Sequence, residues 1–147
     1  MWKYFVIIGL IATLSSCGTK RTGVEASKDS KEIVLGKEEV VSYNSMGNGV
    51  AKISLFLYEN DTFKFDFQSI PQPETDEVAT IISEKGNYTS EGSWKVLNFK
   101  DPNFSLAAIF DDQFADPSFF EVLDKENVRI NTSKDILPIW GVICERK

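Results

Sequence analysis

Phenylalanine alternates with polar residues in the stretch FKFDFQ, and this alternation constrains the fold more than any other part of the sequence. Phe63, Phe65 and Phe67 are separated by Lys64 and Asp66. Because successive side chains of a β-strand point to opposite faces, a period of two places the rings on one face and the charges on the other. A ring can bury about 150–250 Å². The stretch therefore predicts a half-buried strand whose rings belong to the core rather than to a binding stripe.

Other short segments have the same character, and turn-forming residues separate them. Residues 50–59 are rich in β-forming side chains, and the Asn-Asp pair at 60–61 predicts a hairpin with the phenylalanine strand. Further hairpins are predicted around the turns at 91–92 and 124–127. Turn signals recur roughly every 10 residues, which is typical of all-β sandwiches and barrels.

Three further segments complete the predicted strands. Residues 40–44 give a weak strand, residues 104–110 (FSLAAIF) a short apolar one, and residues 136–147 a single final strand with Pro138 near its beginning. No segment has the pattern of a long helix. The sequence therefore predicts an all-β fold, a single antiparallel β-barrel or sandwich of about eight strands after an N-terminal signal segment.

The N-terminus has the layout of a secretory signal. Lys3 supplies a positive charge, and residues 4–14 are apolar or small. This run is too short to span a bilayer, which takes roughly 20 apolar residues. The sequence that follows, Leu-Ser-Ser-Cys at 14–17, resembles the lipobox of bacterial lipoproteins. An ordinary secretory signal with a chance cysteine is the alternative.

The lipobox resemblance implies that residues 1–16 are removed and that Cys17 is acylated. Several acyl chains give stable membrane anchoring, so the membrane is the first expected partner. Gly18 follows the cysteine, where many Gram-negative lipoproteins retained at the inner membrane have Asp. We therefore expect an outer-membrane, periplasm-facing location. Residues 17–31 lack large apolar side chains apart from one valine and are predicted to be a flexible tether.

Composition excludes several classes of function. The formal net charge is −6, which argues against nucleic acid and anionic lipid surfaces as partners. The chain contains no histidine, which removes histidine-based catalysis and the usual zinc, copper and haem ligands. With Cys17 acylated, Cys144 has no partner for an intramolecular disulfide, and we predict a buried, inert thiol there.

Two acidic groups remain as candidates for binding a metal ion through oxygen ligands. They are Asp111, Asp112, Asp116 and Glu121, and Glu74, Asp76 and Glu77. Neither has the spacing of an EF-hand loop, so both are predicted to be solvated. We expect no metal site, no cofactor and no enzymatic activity.

The order of the segments ISLFLYENDTFKFDF, GNYTSEGSWKVLNF and FFEVLDKENVRI resembles the small lipocalin-like lipoproteins common in Bacteroidetes, and is similar in layout to the NlpE family. The resemblance covers about residues 38–147 and implies a short antiparallel barrel, with a lipocalin-like domain at 32–147. The Cys-x-x-Cys of the NlpE family has no counterpart in residues 18–60. Its metal-sensing role and its functional residues are therefore not carried over.

The leading functional hypothesis is non-enzymatic binding of a small apolar ligand. The candidate lining residues are aromatic side chains of predicted strands, namely Phe56, Tyr58, Phe63, Phe65, Phe67, Trp94 and Trp140. A small barrel can also be filled by its own side chains. In that case these rings are core residues.

The alternative is a protein-interaction module, either an inhibitor or an accessory in envelope assembly, that acts through two loops. Pro71 and Pro73 exclude a central strand from residues 69–80, and long loops in compact domains are often functional. Residues 111–118 form the second loop, in which Phe114 lies among acidic residues. An exposed Phe114 would be a contact residue.

Overall fold

The computed structural model describes residues 32–47 and 49–147. The chain divides into a unit of residues 1–30 and a unit of residues 31–147. The predicted signal peptide 1–16, the acylated Cys17 and the tether 17–31 lie outside the described residues. No helix within the described ranges has the length and apolar character needed to cross a bilayer.

Nine antiparallel strands form the domain. In chain order they are β1 (Glu39–Ser45), β2 (Ala51–Tyr58), β3 (Thr62–Ser69), β4 (Ile81–Glu91), β5 (Trp94–Asn98), β6 (Phe120–Val122), β7 (Asn127–Asn131), β8 (Ile136–Ile139) and β9 (Val142–Arg146). A short helix, α1 (Leu106–Ile109), and a 3₁₀ turn (Asp112–Phe114) lie between β5 and β6.

The strands form one sheet in the order β6-β7-β5-β4-β3-β2-β1-β9-β8. The sheet curls into a nearly closed antiparallel barrel whose edges are β6 and β8. The predicted all-β barrel of about eight strands is thus confirmed, with one additional strand. The phenylalanines of β3 lie opposite apolar residues of β2: Phe63 faces Leu57, Phe65 faces Leu55 and Phe67 faces Ile53. All six of these side chains are buried.

The prediction of a strand at 104–110 is wrong, because this segment contains α1. The side chain of Ser105 accepts a hydrogen bond from the backbone N–H of Ala108 at 3.3 Å, which caps the first turn. Leu106 and the two alanines that follow it are strong helix formers. The sequence did not reveal this helix, because a short apolar run is compatible with a buried strand and with a buried helix.

The prediction of one strand at 136–147 is also wrong, because the segment folds into the β8–β9 hairpin. Trp140 and Gly141 form a two-residue turn with φ of 52° and 68°. Positive φ at both positions defines a type I′ turn, whose twist suits a tight hairpin. Trp140 therefore lies in a turn and not on a strand. Pro138 lies on the edge strand β8, where a missing N–H is tolerated.

Aromatic rings fill the interior and contact one another. Phe63 and Phe65 lie 4.8 and 5.9 Å from Phe99, centroid to centroid, in edge-to-face arrangements. Phe110 continues the cluster at 5.8 Å from Phe65 and 5.6 Å from Phe120. Each such pair contributes about 0.5–1.5 kcal/mol beyond the burial of its area. The segment that contains α1 thus supplies core rings in addition to those of the strands.

Gly86 permits the closest approach in the core. A Cβ atom built on Gly86 would overlap the carbonyl oxygen of Asn98 and the ring of Phe63. Gly86 on β4 lies directly opposite Phe63 on β3, so the ring of Phe63 packs against the glycine. Any larger residue would push the ring of Phe63 out of the aromatic cluster.

The two ends of β2 carry different features. The β1–β2 turn (46–50), the β3–β4 loop (70–80) and the β8–β9 turn (140–141) lie at one end, which we call the mouth. The β2–β3 turn lies at the other end, where the chain enters the barrel. There the carboxylate of Glu59 accepts hydrogen bonds from the backbone N–H groups of Lys37 and Glu38 at 2.9 and 2.8 Å.

Candidate functional site: an apolar cleft at the mouth

A cleft of about 410 Å³ opens at the mouth between the 70–80 loop and the β8–β9 turn. The volume lies within the range of about 300–1,000 Å³ that is typical of ligand pockets. Its apolar lining consists of Val50, Phe67, Ile70, Val78, Ile109 and Trp140. The site therefore combines side chains from four separate parts of the chain.

Trp140 forms one wall of the cleft in an unfavourable backbone conformation. Its φ of 52° lies in the left-handed region, which bulky residues rarely occupy. Two contacts hold it there. The backbone N–H of Trp140 donates to the carbonyl of Ile109 at 2.7 Å, and its ring meets the ring of Phe67 edge-on at 5.1 Å. Such outliers cluster at functional sites, and Trp140 remains 37% exposed.

The 70–80 loop forms the opposite wall. The backbone N–H of Ile70 donates to the carbonyl of Val50 at 2.8 Å, which attaches the loop to the β1–β2 turn. The backbone N–H and the hydroxyl of Thr75 both donate to the carbonyl of Gln72, which closes a turn at the loop's tip. Val78 follows this turn and is 88% exposed, so the loop presents an apolar side chain to solvent.

The 111–118 segment adds Phe114 beside the cleft. The carboxylates of Asp111 and Asp116 accept hydrogen bonds from the backbone N–H groups of Gln113 and Ser118 at 2.9 and 2.8 Å. The second of these bonds lowers the pKa of Asp116 below its usual value. The ring of Phe114 faces Gly141 and is 64% exposed, so this predicted contact residue is exposed.

The structure does not bring the seven predicted ligand-lining aromatics together in one site. Phe63, Phe65 and Phe67 are buried in the interior, where they belong to the core. Phe56 and Tyr58 lie on the outer face of β2, because they alternate with its buried residues.

The two tryptophans among these seven residues differ in position. Trp94 lies on β5 under the guanidinium of Arg129, which is 4.8 Å from the ring centroid. Arg129 in turn binds Glu121 at 2.6 Å, so Trp94 takes part in a contact between neighbouring strands. Only Trp140, together with the outer part of Phe67, lines the cleft.

Sequence reasoning missed the aliphatic part of the site. Val50, Ile70, Val78 and Ile109 drew no attention because isolated aliphatic residues carry no motif. One signal was present in the sequence. Val78 is the one large apolar side chain between Pro73 and Ile81, within an otherwise polar and acidic loop.

Cys144 is fully buried on β9, and its Sγ donates a weak hydrogen bond to the carbonyl of Val142 at 3.7 Å. Burial raises the pKa of the thiol to about 12, so the thiolate is scarce at neutral pH. The predicted inert character of this cysteine has a physical basis in its burial. In the part of the chain that the structure describes, no group of three or more Cys, Asp or Glu side chains is arranged to hold a metal ion.

Comparison with known proteins gave no relative. No family model matches the chain, and neither the curated proteins nor the solved structures include a match. The resemblance to lipocalin-like and NlpE-family lipoproteins therefore remains a prediction from the sequence. The fold and the cleft are the basis for any functional statement.

Proposed function

We propose that this chain is a bacterial lipoprotein, held at the outer membrane through Cys17 and facing the periplasm, whose barrel is a non-enzymatic binding module. Its site is the mouth cleft. The observation that carries the proposal is Trp140, a large aromatic residue kept partly exposed in a left-handed turn as one wall of the cleft. An asparagine would suit this turn position better, and the presence of a tryptophan supports a binding role for this wall of the cleft.

The packed interior directs binding to the mouth. Phe63, Phe65 and Phe110 already contact other rings at centroid distances of 4.8 to 5.9 Å. A ligand inside the barrel would have to displace these rings from their contacts with one another, which costs packing energy. The cleft needs no such displacement.

The exposed apolar surface continues beyond the cleft, which favours a protein partner over a small molecule. Ten large apolar side chains are exposed among the described residues, and half of them lie at the mouth or beside its cleft: Met46, Val50, Val78, Phe114 and Trp140. A grouping of this kind marks an interaction surface more often than isolated exposed residues do. A small apolar ligand is the second candidate, supported by the volume of about 410 Å³.

A photo-crosslinking residue placed at Val78 tests the site in the native envelope. Val78 is 88% exposed, so the substitution leaves the fold intact. We expect a reproducible adduct at Val78 and also at Phe114. Val40 is the matched control, since it is 56% exposed on β1 near the opposite end of the barrel, and it should give no adduct.

Mass spectrometry identifies the adduct and separates the two candidates. A crosslinked polypeptide supports the interaction module, whereas a small added mass supports the apolar ligand. Failure of both mouth positions to crosslink, or equal crosslinking at Val40, would contradict binding at the mouth.

A further inference from the structure

We propose that the occupant of the mouth cleft is a protein segment that presents lysine or arginine side chains on either side of an apolar one. This inference rests on the proposed function, because it takes the cleft as the binding site and adds the chemistry of the partner. Three features carry it: the signs of the charges around the cleft, their lack of internal partners, and the apolar anchors between them.

The two segments that flank the cleft carry negative charge only. Glu74, Asp76 and Glu77 lie on the 70–80 loop and are exposed. Asp111 and Asp112 lie on the segment next to Phe114. Neither 70–80 nor 111–118 contains a lysine or an arginine. The β1–β2 turn and the β8–β9 turn add no charge of either sign.

These five carboxylates have no ion-pair partner among the described residues. The three ion pairs there involve Asp66, Glu121 and Glu126, all away from the mouth. Two lysines lie in the neighbourhood but are placed elsewhere. Lys52 is on the outer face of β2. Lys134 lies over the ring of Phe119. The pKa of Asp116 is lowered by the N–H of Ser118 and, to a smaller extent, by Lys134, which is therefore close to that carboxylate.

The other charged connections of the domain have a positive charge within them or beside them; the β2–β3 turn (59–61) is itself acidic, but Lys37 lies beside its Glu59. The segment 32–38 combines Glu32 and Glu38 with Lys37, and the β6–β7 turn places Lys125 between Asp124 and Glu126. A partner selected by the general acidity of the domain would find compensating positive charge at these sites. The mouth segments contain no lysine or arginine, and neither Lys52 nor Lys134 forms an ion pair among the described residues, so a cationic partner gains most at the mouth.

The apolar side chains between the charges specify what the partner must present. Val78 and Phe114 are exposed by 88% and 64%, and Trp140 lies between the segments that carry them. An apolar centre with a charged rim is the usual anatomy of a protein-binding site. Aromatic faces also attract ammonium and guanidinium groups, so Phe114 and Trp140 favour the same cations.

Trp140 provides the signal for a direct test. Trp2→Phe and Trp94→Phe leave Trp140 as the one tryptophan, whether or not residues 1–16 are removed, because the sequence contains three tryptophans. This protein is placed in phosphatidylcholine nanodiscs, whose headgroups have no net charge, and empty nanodiscs serve as the blank. Three short peptides without aromatic residues are titrated. Each has a central leucine pair, flanked by lysine, by glutamine or by glutamate.

We expect the lysine peptide to change the Trp140 fluorescence with at least about tenfold lower Kd than the glutamine peptide, and the glutamate peptide to bind more weakly than both. Raising the ionic strength from about 0.1 M to about 1 M shortens the Debye length from about 10 Å to about 3 Å. The advantage of the lysine peptide should shrink accordingly.

A pair of triple variants separates local charge from net charge. Glu74→Gln, Asp76→Asn and Glu77→Gln together should remove the preference for lysine. Glu32→Gln, Glu38→Gln and Glu91→Gln remove the same number of exposed acidic groups elsewhere and should leave it intact. Val78→Ser, at an exposed position, should weaken all three peptides without affecting the fold.

Each remaining outcome overturns the proposal in a distinguishable way. Equal binding of the three peptides refutes the cationic partner but leaves the cleft as a binding site. Binding of none of them, together with adducts at Val78 in the envelope, means a different occupant. A dimer in analytical ultracentrifugation that the Val78 variant dissolves assigns the mouth to a second copy of this chain. Quenching of Trp140 by the nanodisc alone assigns it to lipid.

Discussion

Trp140 combines an unfavourable backbone conformation with partial exposure, and each of these costs stability. Its φ of 52° belongs to a region that asparagine and glycine occupy more readily. Its ring recovers part of this cost against Phe67. Trp140 therefore makes a small net contribution to the free energy of folding, although it forms one wall of the cleft.

We predict that Trp140→Asn separates these two roles. Asn-Gly is a favoured type I′ pair, so relief of backbone strain should offset the lost ring contact, and the free energy of unfolding should stay within about 1 kcal/mol of the original. Binding at the mouth should be lost. Urea unfolding and crosslinking from Val78 measure the two effects. A loss of stability above about 2 kcal/mol would make Trp140 a structural residue.

Gly86 is a residue whose replacement should be costly. Gly86→Ala places a methyl group against the carbonyl of Asn98 and the ring of Phe63, and we expect a destabilisation of about 1–3 kcal/mol. Phe63→Leu removes part of that ring. In the double variant the two losses should be less than additive, as a double-mutant cycle of urea unfolding would measure. Additive losses would mean that the two residues do not conflict.

The thiols give a test that bears on the membrane anchor as well. Cys144 should resist a thiol reagent at pH 8 in the folded protein, because burial raises its pKa to about 12, and should react after unfolding. The sequence has two cysteines. If Cys17 is acylated, unfolding exposes one reactive thiol, and a count of two would disprove acylation.

The same pKa predicts the effect of alkaline pH. In the unfolded chain the thiol ionises near its ordinary pKa of 9.0, whereas in the folded chain burial raises the pKa to about 12. The unfolded state therefore binds fewer protons between these values, so stability is full below pH 9 and is lost as the pH rises. Cys144→Ala should reduce this loss in urea titrations at several pH values.

At the scale of elements, the alternation of apolar and polar residues predicted strands that the structure pairs with their neighbours. β2 and β3 were predictable because each has one buried face and a clear turn between them. The β8–β9 hairpin was not, since Trp-Gly lacks the Asn-Gly or Asp-Gly signature of such turns. Helix α1 was not predictable either, because its four residues are too few for a helical period to appear.

The candidate site was predictable in its loops and in two of its aromatic residues, Phe67 and Trp140, but not in its aliphatic part. The prolines at 71 and 73 and the acidic residues around Phe114 indicated two irregular segments. That both flank one cleft depends on the barrel's closure, which brings β9 beside β1 and so places Trp140 opposite the 70–80 loop. Such long-range contacts leave no local trace in a single sequence.

The segment 32–38 provides a prediction at this scale. The N–H of Lys37, and after it that of Glu38, keeps the pKa of Glu59 below its usual value. A lowered pKa stabilises the folded arrangement above pH 4.5, and this contribution is lost as the pH falls through the folded value. The protection factors of the Lys37 and Glu38 amides, that is, their exchange relative to the intrinsic rate at each pH, should fall in acid, and also in Glu59→Gln at neutral pH. Protection factors that do not change in NMR exchange measurements would show that other contacts hold the segment.

For the whole molecule, the barrel separates the segment 32–38 from the mouth cleft. The segment 32–38 contacts Glu59 and Thr62 at one end of β2, and Val50 lies at the mouth beyond the other end. The eight residues of β2 span about 25 Å at roughly 3.3 Å each. The segment 32–38 therefore lies at the end of the barrel opposite the cleft.

This separation determines how the domain would carry mechanical force between a membrane and a bound partner. Tension between residue 32 and the mouth acts along the axis of β1, which is hydrogen-bonded to β2 on one side and β9 on the other. Both ladders are then loaded in shear, so many hydrogen bonds must break together. Pulling from residue 32 and Asp61, which share one end, would instead open the β1–β2 ladder one bond at a time and should require less force.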